Sequence, residues 1–225
     1  ALGNHQYLPE EERLNIASHA FGFALSLAAT ALLVIRATDI GGVHVVVSFA
    51  IFGASLVFLY AASTTYHSAN RPTLRARLRV IDHASIYILI AGTYTPFALV
   101  TLQGPVGWWI FGATWSLALA GIILKLFFTG RFQMTSTLMY VFMGWIIVFA
   151  IKPLMNNLSQ TGLLWLFAGG LAYTFGAVLY SFKSLKFNHA IFHLFVLVGS
   201  TCHFMSVFFF VLPILFSSRS TFVFY

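Results

Sequence analysis

Residues 189–216 read HAIFHLFVLVGSTCHFMSVFFFVLPILF, an apolar run that opens with two histidines four positions apart. On a helix this spacing places His189 and His193 on one face, one turn apart. Zinc proteases use the related pattern His-Glu-x-x-His, but Ala190 stands where they carry Glu, so any general base must come from elsewhere. Ring nitrogens are costly in hydrocarbon unless they are paired or coordinated. The stretch therefore predicts a membrane helix that carries two ligands of a metal site.

The composition is that of an integral membrane protein. Hydrophobic residues make up 60% of the 225 residues and charged residues only 8%, whereas soluble domains average about 25% charged. The formal net charge is +7, but the basic residues lie in short stretches between apolar runs. They indicate topology signals and contacts with lipid headgroups, and no nucleic-acid interface is expected. The single cysteine, Cys202, excludes an internal disulfide.

Seven apolar runs are long enough to cross about 30 Å of hydrocarbon. They cover residues 16–35, 43–66, 80–102, 106–127, 136–151, 162–182 and 189–216. The connections between them are too short for a soluble domain. The sequence thus predicts an all-α seven-transmembrane-helix bundle over residues 16–216. Residues 1–15 are expected to form a cytoplasmic segment and residues 217–225 a short extracytoplasmic tail.

The distribution of basic residues predicts the orientation of the bundle. With the N-terminus in the cytoplasm, nine of the twelve basic residues fall on the inner face and three on the outer face. The inner set is Arg13, Arg71, Arg75, Arg77, Arg79, Lys125, Arg131, Lys183 and Lys186, and the outer set is Arg36, Lys152 and Arg219. Because positive residues favour the cytoplasmic side, we expect the N-terminus inside and the C-terminus outside.

This topology brings the polar residues of three runs to one membrane face. The second run ends with Ser63 and His67, the third begins with Asp82, and the seventh begins with His189 and His193. Three histidines with an open fourth position are the composition of a catalytic zinc site. We therefore predict a zinc ion near the cytoplasmic face.

Asp82 is the one acid inside the predicted runs. Alone it is explained by an ion pair with Arg79 or Arg77 or as an acid at a helix start, but beside three metal ligands it can orient or deprotonate a water. Ser63 can bond to the same water or to Asp82, or return its hydroxyl to its own helix backbone. Both are candidate catalytic residues.

Apart from His19, the remaining histidines are not expected to bind the metal. His19 lies near the same face, either as a hydrogen-bonded interfacial residue or as a fourth ligand. His83 points roughly 100° away from Asp82 on an ideal helix, so the two are not expected to address one ion. His203 lies about 15 Å beyond His193 and is expected to bond between helices. His44 lies at the outer end, and His5 lies in the N-terminal segment.

These motifs resemble the progestin and adipoQ receptor family. Ser-x-x-x-His at Ser63 and His67, Asp82, and His-x-x-x-His at His189 and His193 match its pattern. The texts YHS at 66–68, IDHASIY at 81–87, AGTYTPF at 91–97 and NHAIFH at 188–193 are similar to its bacterial hemolysin III branch, as is the opening over residues 12–22. The resemblance spans residues 10–212. It implies a seven-helix bundle of the bacterial inner (plasma) membrane, with zinc held by the three histidines.

The wider superfamily includes alkaline ceramidases, so the resemblance also implies zinc-dependent hydrolysis of lipid amides, with Asp82 and Ser63 near the metal. A lipid or fatty-acyl substrate and a role in membrane lipid homeostasis are the leading expectations. Two alternatives stay open: a non-enzymatic, receptor-like membrane sensor with structural zinc, and a cytolysin.

The orientation can be tested with single cysteines in a Cys202→Ser background. In intact cells a cysteine at Thr73 should resist a membrane-impermeant thiol reagent, whereas one at Asn157 should react, because the two positions are predicted on opposite faces. The reverse labelling pattern would place the metal site at the outer face.

Overall fold

The computed structural model describes residues 7–128, 133–182 and 184–211. Within these residues there is no β-strand, and seven helices are long and apolar enough to cross a membrane, as predicted. The predicted tail at 217–225 and the end of the last run lie outside the described residues. The helices are α1 (Pro9–Ile40), α2 (Val43–Ser68), α3 (Pro72–Pro96, continued by a π-helix at Phe97–Leu102), α4 (Gly104–Phe128), α5 (Gln133–Gly144, then a 3-10 turn at Ile146–Ala150 and a last piece at Ile151–Asn157), α6 (Gln160–Ser181) and α7 (Asn188–Phe210).

Several helices extend beyond the apolar runs that predict them. α1 begins at Pro9, although its apolar run begins at residue 16, and α3 begins at Pro72, although its run begins at residue 80. Both prolines occupy the first helical turn, where the missing N–H removes no hydrogen bond. The helical backbone thus continues past the apolar run into polar turns.

α3 lies at the centre of the bundle. In its most apolar window 78% of the residues are buried, against 22% for α1. α3 packs between α2 and α4, while α1 packs on α2 and α7, and α6 packs on α7. α5 makes fewer close approaches to its neighbours than any of these helices. The closely packed antiparallel pairs α1–α2 and α6–α7 therefore surround much of α3, and α5 covers the remaining side.

α5 is interrupted about halfway along its length, where it changes from an α-helix to a 3-10 turn. The Tyr94 hydroxyl of α3 enters this break, donating to the Gly144 carbonyl at 2.8 Å and accepting from the Ile147 N–H at 3.1 Å. Trp145 Nε1 donates to Thr174 Oγ1 on α6 at 3.0 Å. An interrupted helix is stable at this depth because side chains of neighbouring helices satisfy the freed backbone groups.

Two glycines of α4 allow a matched test of helix packing. A Cβ at Gly121 would overlap the buried Tyr87 ring, whereas a Cβ at Gly112 would meet nothing within 4 Å. Gly121→Ala should destabilise the bundle by about 1–3 kcal/mol because the core is overpacked. Gly112→Ala should leave stability unchanged or raise it, since Ala favours the helix. Thermal unfolding of both variants in detergent measures the difference, and equal midpoints would contradict this packing of α3 on α4.

Candidate metal centre

Three histidine side chains converge at the end of the bundle where α1 and α7 begin. His67 Nε2 and His193 Nε2 each lie 3.1 Å from His189 Nε2. The three residues are 2%, 4% and 2% exposed for His67, His189 and His193. Among the described residues they form the one group of His, Cys, Asp or Glu side chains whose ligand atoms all lie within 4.8 Å of one another. The predicted convergence of α2 and α7 is therefore present, and the group can hold a metal ion.

The outer ring nitrogens of two histidines face oxygen atoms of α1. His67 Nδ1 lies 3.0 Å from Glu12 Oε2, and His193 Nδ1 lies 3.3 Å from the Asn15 carbonyl oxygen. A carbonyl oxygen only accepts, and an ionised carboxylate only accepts, so each Nδ1 carries the proton. Each Nε2 then presents a lone pair toward the centre. This is the tautomer that a metal-binding imidazole needs.

The start of α7 is fixed to α1 by a backbone contact. The His189 N–H donates to Glu11 Oε1 at 3.1 Å. Just before the helix, Phe187 adopts a left-handed backbone with a φ of 60°, and the Asn188 side-chain amide donates to the Tyr180 carbonyl at 3.0 Å. A carboxylate at a helix N-terminus is stabilised by the free N–H groups and the helix dipole. Glu11 thereby fixes the position of α7 along α1, and with it the depth in the bundle at which His189 and His193 lie.

The end of α2 is fixed by Arg75 from the first turn of α3. One guanidinium nitrogen donates to the carbonyls of His67 at 3.2 Å and Ala69 at 3.3 Å, and the other is paired with Glu12 Oε1. The guanidinium also lies over the Tyr66 ring, 4.8 Å from its centroid. Arg75 therefore links the acid of α1 to the last carbonyls of α2, which have no partner within their own helix.

Tyr7 covers the histidines from outside the membrane-spanning segment. Its ring stacks on His189 with centroids 4.6 Å apart and lies 5.7 Å from the His67 ring. Burial raises the pKa of the Tyr7 hydroxyl well above its ordinary value, so this side chain stays neutral at physiological pH. An uncharged aromatic ring therefore covers His67 and His189.

The predicted catalytic residues Ser63 and Asp82 line the same cavity as His189 and His193. Ser63 is almost fully buried, and its hydroxyl has no hydrogen-bond partner among the described residues. Asp82 Oδ2 lies 3.2 Å from Nδ1 of His83. The two side chains turn toward each other and both line the cavity, but neither belongs to the group of ligand histidines. Ser63 and Asp82 thus both line the cavity that begins at His189 and His193.

The other histidines lie outside the ligand group. His19 stacks on His193 with ring centroids 3.5 Å apart and an interplanar angle of 9°, and neither of its ring nitrogens has a hydrogen bond within the described residues. The predicted hydrogen bond of His19 is therefore not found there. His203 packs 5.2 Å from the Tyr173 ring at the far end of the cavity. Its Nδ1 likewise has no hydrogen-bond partner in the described part of the chain.

A long cavity leads from the metal centre into the bundle. Its volume is about 150 Å³, and it extends along α7 from His189 to His203, a distance of about 21 Å on a helix. Beyond the polar end its walls are mainly aliphatic and aromatic, contributed by α3, α5, α6 and α7; they include Ile86, Ile90, Phe97, Leu166, Phe167 and Val196. The site therefore combines a polar, metal-capable end with an apolar channel that suits an acyl chain.

Sequence reasoning missed the contribution of α1. It assigned Glu11 and Glu12 no part in the site, because both precede the first apolar run. The buried face of α1 consists of Glu11, Asn15, His19, Gly22 and Ser26 at spacings of three and four residues, followed by Leu33 and Ala37. A polar stripe of this period at the start of a membrane helix could have revealed that α1 contributes to the site. Such a stripe must face protein and not lipid.

These features define a multi-pass helical membrane protein with a buried three-histidine centre. The profile of the family described as Haemolysin-III related matches residues 7–204. The chain belongs to this family, which confirms the resemblance seen in the sequence motifs.

Curated relatives agree over nearly the whole chain. Hemolysin-3 of Bacillus cereus is 48% identical over 204 residues, which cover 91% of this chain and 93% of that protein. The Hemolysin-3 homolog of Bacillus subtilis (strain 168) is 44% identical over 209 residues, which cover 93% of this chain and 98% of that protein. The Monocyte to macrophage differentiation factor of Homo sapiens is 28% identical over 219 residues, which cover 92% of this chain and 88% of that protein.

The histidine group predicts the metal content of the purified protein. We expect about one transition-metal ion per chain, lost on His67→Ala, His189→Ala or His193→Ala, because each variant removes one of three ligands. His44→Ala and His203→Ala serve as controls and should retain the metal. Elemental analysis by mass spectrometry measures the content. Unchanged metal in all three ligand variants would refute the site.

Proposed function

We propose that this protein is a membrane-embedded, zinc-dependent hydrolase that cleaves lipid amide bonds, in the manner of a ceramidase, and that it serves membrane lipid homeostasis. The observation that carries the proposal is the juxtaposition of a three-histidine centre with an acyl-sized apolar cavity. The proposed setting is the bacterial inner membrane, and the proposed substrate is a membrane lipid. No nucleic-acid partner is proposed.

Zinc is the metal that suits this donor set. In tetrahedral zinc sites the metal–nitrogen distance is about 2.0–2.1 Å, so two ligand nitrogens lie about 3.3 Å apart. The separations of His67 Nε2 and His193 Nε2 from His189 Nε2, both 3.1 Å, are within a few tenths of an ångström of this value. Three neutral imidazoles are also a common catalytic set, which leaves a fourth position for water or substrate. His67, His189 and His193 would hold the ion.

When bound, zinc supplies Lewis-acid polarisation of a carbonyl group and makes water nucleophilic near neutral pH. Hydrolysis of an amide also requires proton transfer, because water must lose a proton and the leaving amine must gain one. We assign this transfer to the Asp82 carboxylate. The Ser63 hydroxyl, which has no other described partner, can donate a hydrogen bond to the amide carbonyl or to Asp82. The products are a fatty acid and an amine.

The cavity explains the choice of a lipid substrate. An acyl chain in the apolar channel between α3, α5, α6 and α7 would place its amide carbonyl beside the histidines. The polar residues stand at the end of the bundle where α1 begins, so a headgroup can remain at the membrane surface while the chain stays in hydrocarbon. Binding of the apolar chain would then position the amide bond for reaction.

Two other functions are consistent with the same fold. In a receptor-like sensor the metal would be structural, and the close cover that Tyr7 forms over His189 favours this alternative. A cytolytic function is suggested by the name Hemolysin-3 of the Bacillus cereus relative. We rank both below the hydrolase, because neither requires an acyl-sized cavity that ends at a metal centre.

Asp82→Asn separates a hydrolase from a sensor. The amide keeps the size and the hydrogen-bonding reach of the carboxylate but removes the base, so lipid-amide turnover should fall about a hundredfold or more. Metal content and folding should be retained. The measurement is release of free fatty acid from ceramide-like and other amide lipids by purified protein in bilayer discs. Asp39→Asn, at the other end of α1, is the matched control and should keep full turnover.

Two results would contradict the assignment. Turnover that survives both Asp82→Asn and His193→Ala would come from a contaminant. Release of fatty acid from none of the lipids, by protein that carries its metal, would favour the sensor.

A further inference from the structure

We propose that Glu12, held in place by Arg75, is a positioning residue of the metal centre: its carboxylate fixes the tautomer and the ring orientation of His67. The inference rests on the metal site of the proposed function but not on hydrolysis of any lipid. It would hold equally for a zinc-dependent enzyme and for a zinc-stabilised sensor.

Both oxygens of the Glu12 carboxylate are engaged. Oε2 lies 3.0 Å from His67 Nδ1, and Oε1 is paired with the Arg75 guanidinium. The Asn15 side-chain amide also donates to Oε2 at 3.3 Å. A carboxylate bound on both oxygens cannot rotate freely, so the acceptor that faces the imidazole is fixed in direction.

Arg75 contacts both Glu12 and the backbone of His67. The guanidinium that pairs with Glu12 also donates to the backbone carbonyl of His67 at 3.2 Å. The carboxylate is thereby positioned relative to the backbone of the same residue whose ring it orients. Arg75 thus holds the backbone of His67 and Glu12 holds its ring, which together constrain the side-chain torsions. The Nε2 atom of His67 is directed toward His189.

His67 needs such support more than the other two ligands do. His189 and His193 are four residues apart on one helix, so the backbone of α7 sets their relative position. His67 comes from α2, one residue before that helix ends. In metal sites a carboxylate that accepts from the outer nitrogen of a ligand histidine fixes the tautomer and raises the ligand's affinity for the metal, and its loss costs about 10–100-fold in affinity.

A purely structural role for Glu12 makes a different prediction. An acid in the first turn of α1 stabilises the helix dipole, and its pairing with Arg75 joins α1 to α3. If this were all, removal of the carboxylate would lower the stability of the metal-free protein and leave the affinity for zinc unchanged. Zinc affinity and metal-free stability must therefore be measured on the same variants.

The experiment compares Glu12→Ala and Glu12→Gln with Glu10→Gln in full-length, metal-stripped protein in bilayer discs. Zinc affinity is measured by competition with a chromophoric chelator, and metal-free stability by thermal unfolding. We expect Glu12→Ala to weaken zinc binding about 10–100-fold. Glu12→Gln keeps an acceptor oxygen and should lose less. Glu10, exposed in the same helical turn, is the matched control, and its variant should bind zinc as the unmodified chain does.

A double-mutant comparison tests whether Glu12 acts through His67. If it does, Glu12→Ala should cause no further loss of zinc affinity in a His67→Ala background, because the ring that it orients is gone. Additive losses would overturn the inference. So would unchanged zinc affinity of both Glu12 variants while His67→Ala loses zinc, a result that leaves the metal centre itself intact. Unchanged affinity in His67→Ala would instead refute the centre, and the role of Glu12 with it.

Discussion

The central constraint on this protein is that three imidazole nitrogens, each with a lone pair, meet where water is excluded. His67, His189 and His193 are almost completely buried, and their Nε2 atoms face one another. Unpaired polar nitrogens are costly in such a place unless a cation or a proton lies between them. α2 and α7 must therefore meet at one depth, and α1 supplies acceptors for the outer nitrogens of His67 and His193. The packing of α1 against both helices satisfies these two requirements together.

The sequence predicted the parts of this arrangement that repeat along one element. Apolar runs of membrane length predict the seven helices, and the spacing of His189 and His193 predicts two ligands on one face. The alternation of helix direction then places His67 at the same end. The contacts of Glu11 and Glu12 could not be predicted in this way, because their partners lie 178 and 55 residues away along the chain. The residue pattern along one helix predicts which of its faces is buried, but it does not predict which other helix packs against that face.

The cavity depends on the irregular parts of the fold. A straight α5 would continue its hydrogen bonds through Gly144 and Ile147, whereas the observed helix breaks there and takes the Tyr94 hydroxyl into the gap. Two residues of α5 favour this break, because Gly144 lowers helix propensity and Pro153 cannot donate the helical hydrogen bond to the Phe149 carbonyl. The contact with Tyr94 of α3, by contrast, could not be predicted from α5 alone. The regular pairs α1–α2 and α6–α7 hold the metal end, and the interrupted helix borders the apolar channel. The regular helix pairs thus position the metal centre, and the interrupted α5 leaves room for the cavity.

The position of the ligands along the chain also constrains biogenesis. His67 leaves the ribosome early, but the nitrogens of α7 that complete the centre follow 122 and 126 residues later. Until then Glu12 and His67 can meet inside the nascent protein, while the centre still lacks two of its three ligands. A chain that ends before α7 therefore carries the acid and only one imidazole of the centre. The complete set of three histidines exists only once α7 has been synthesised.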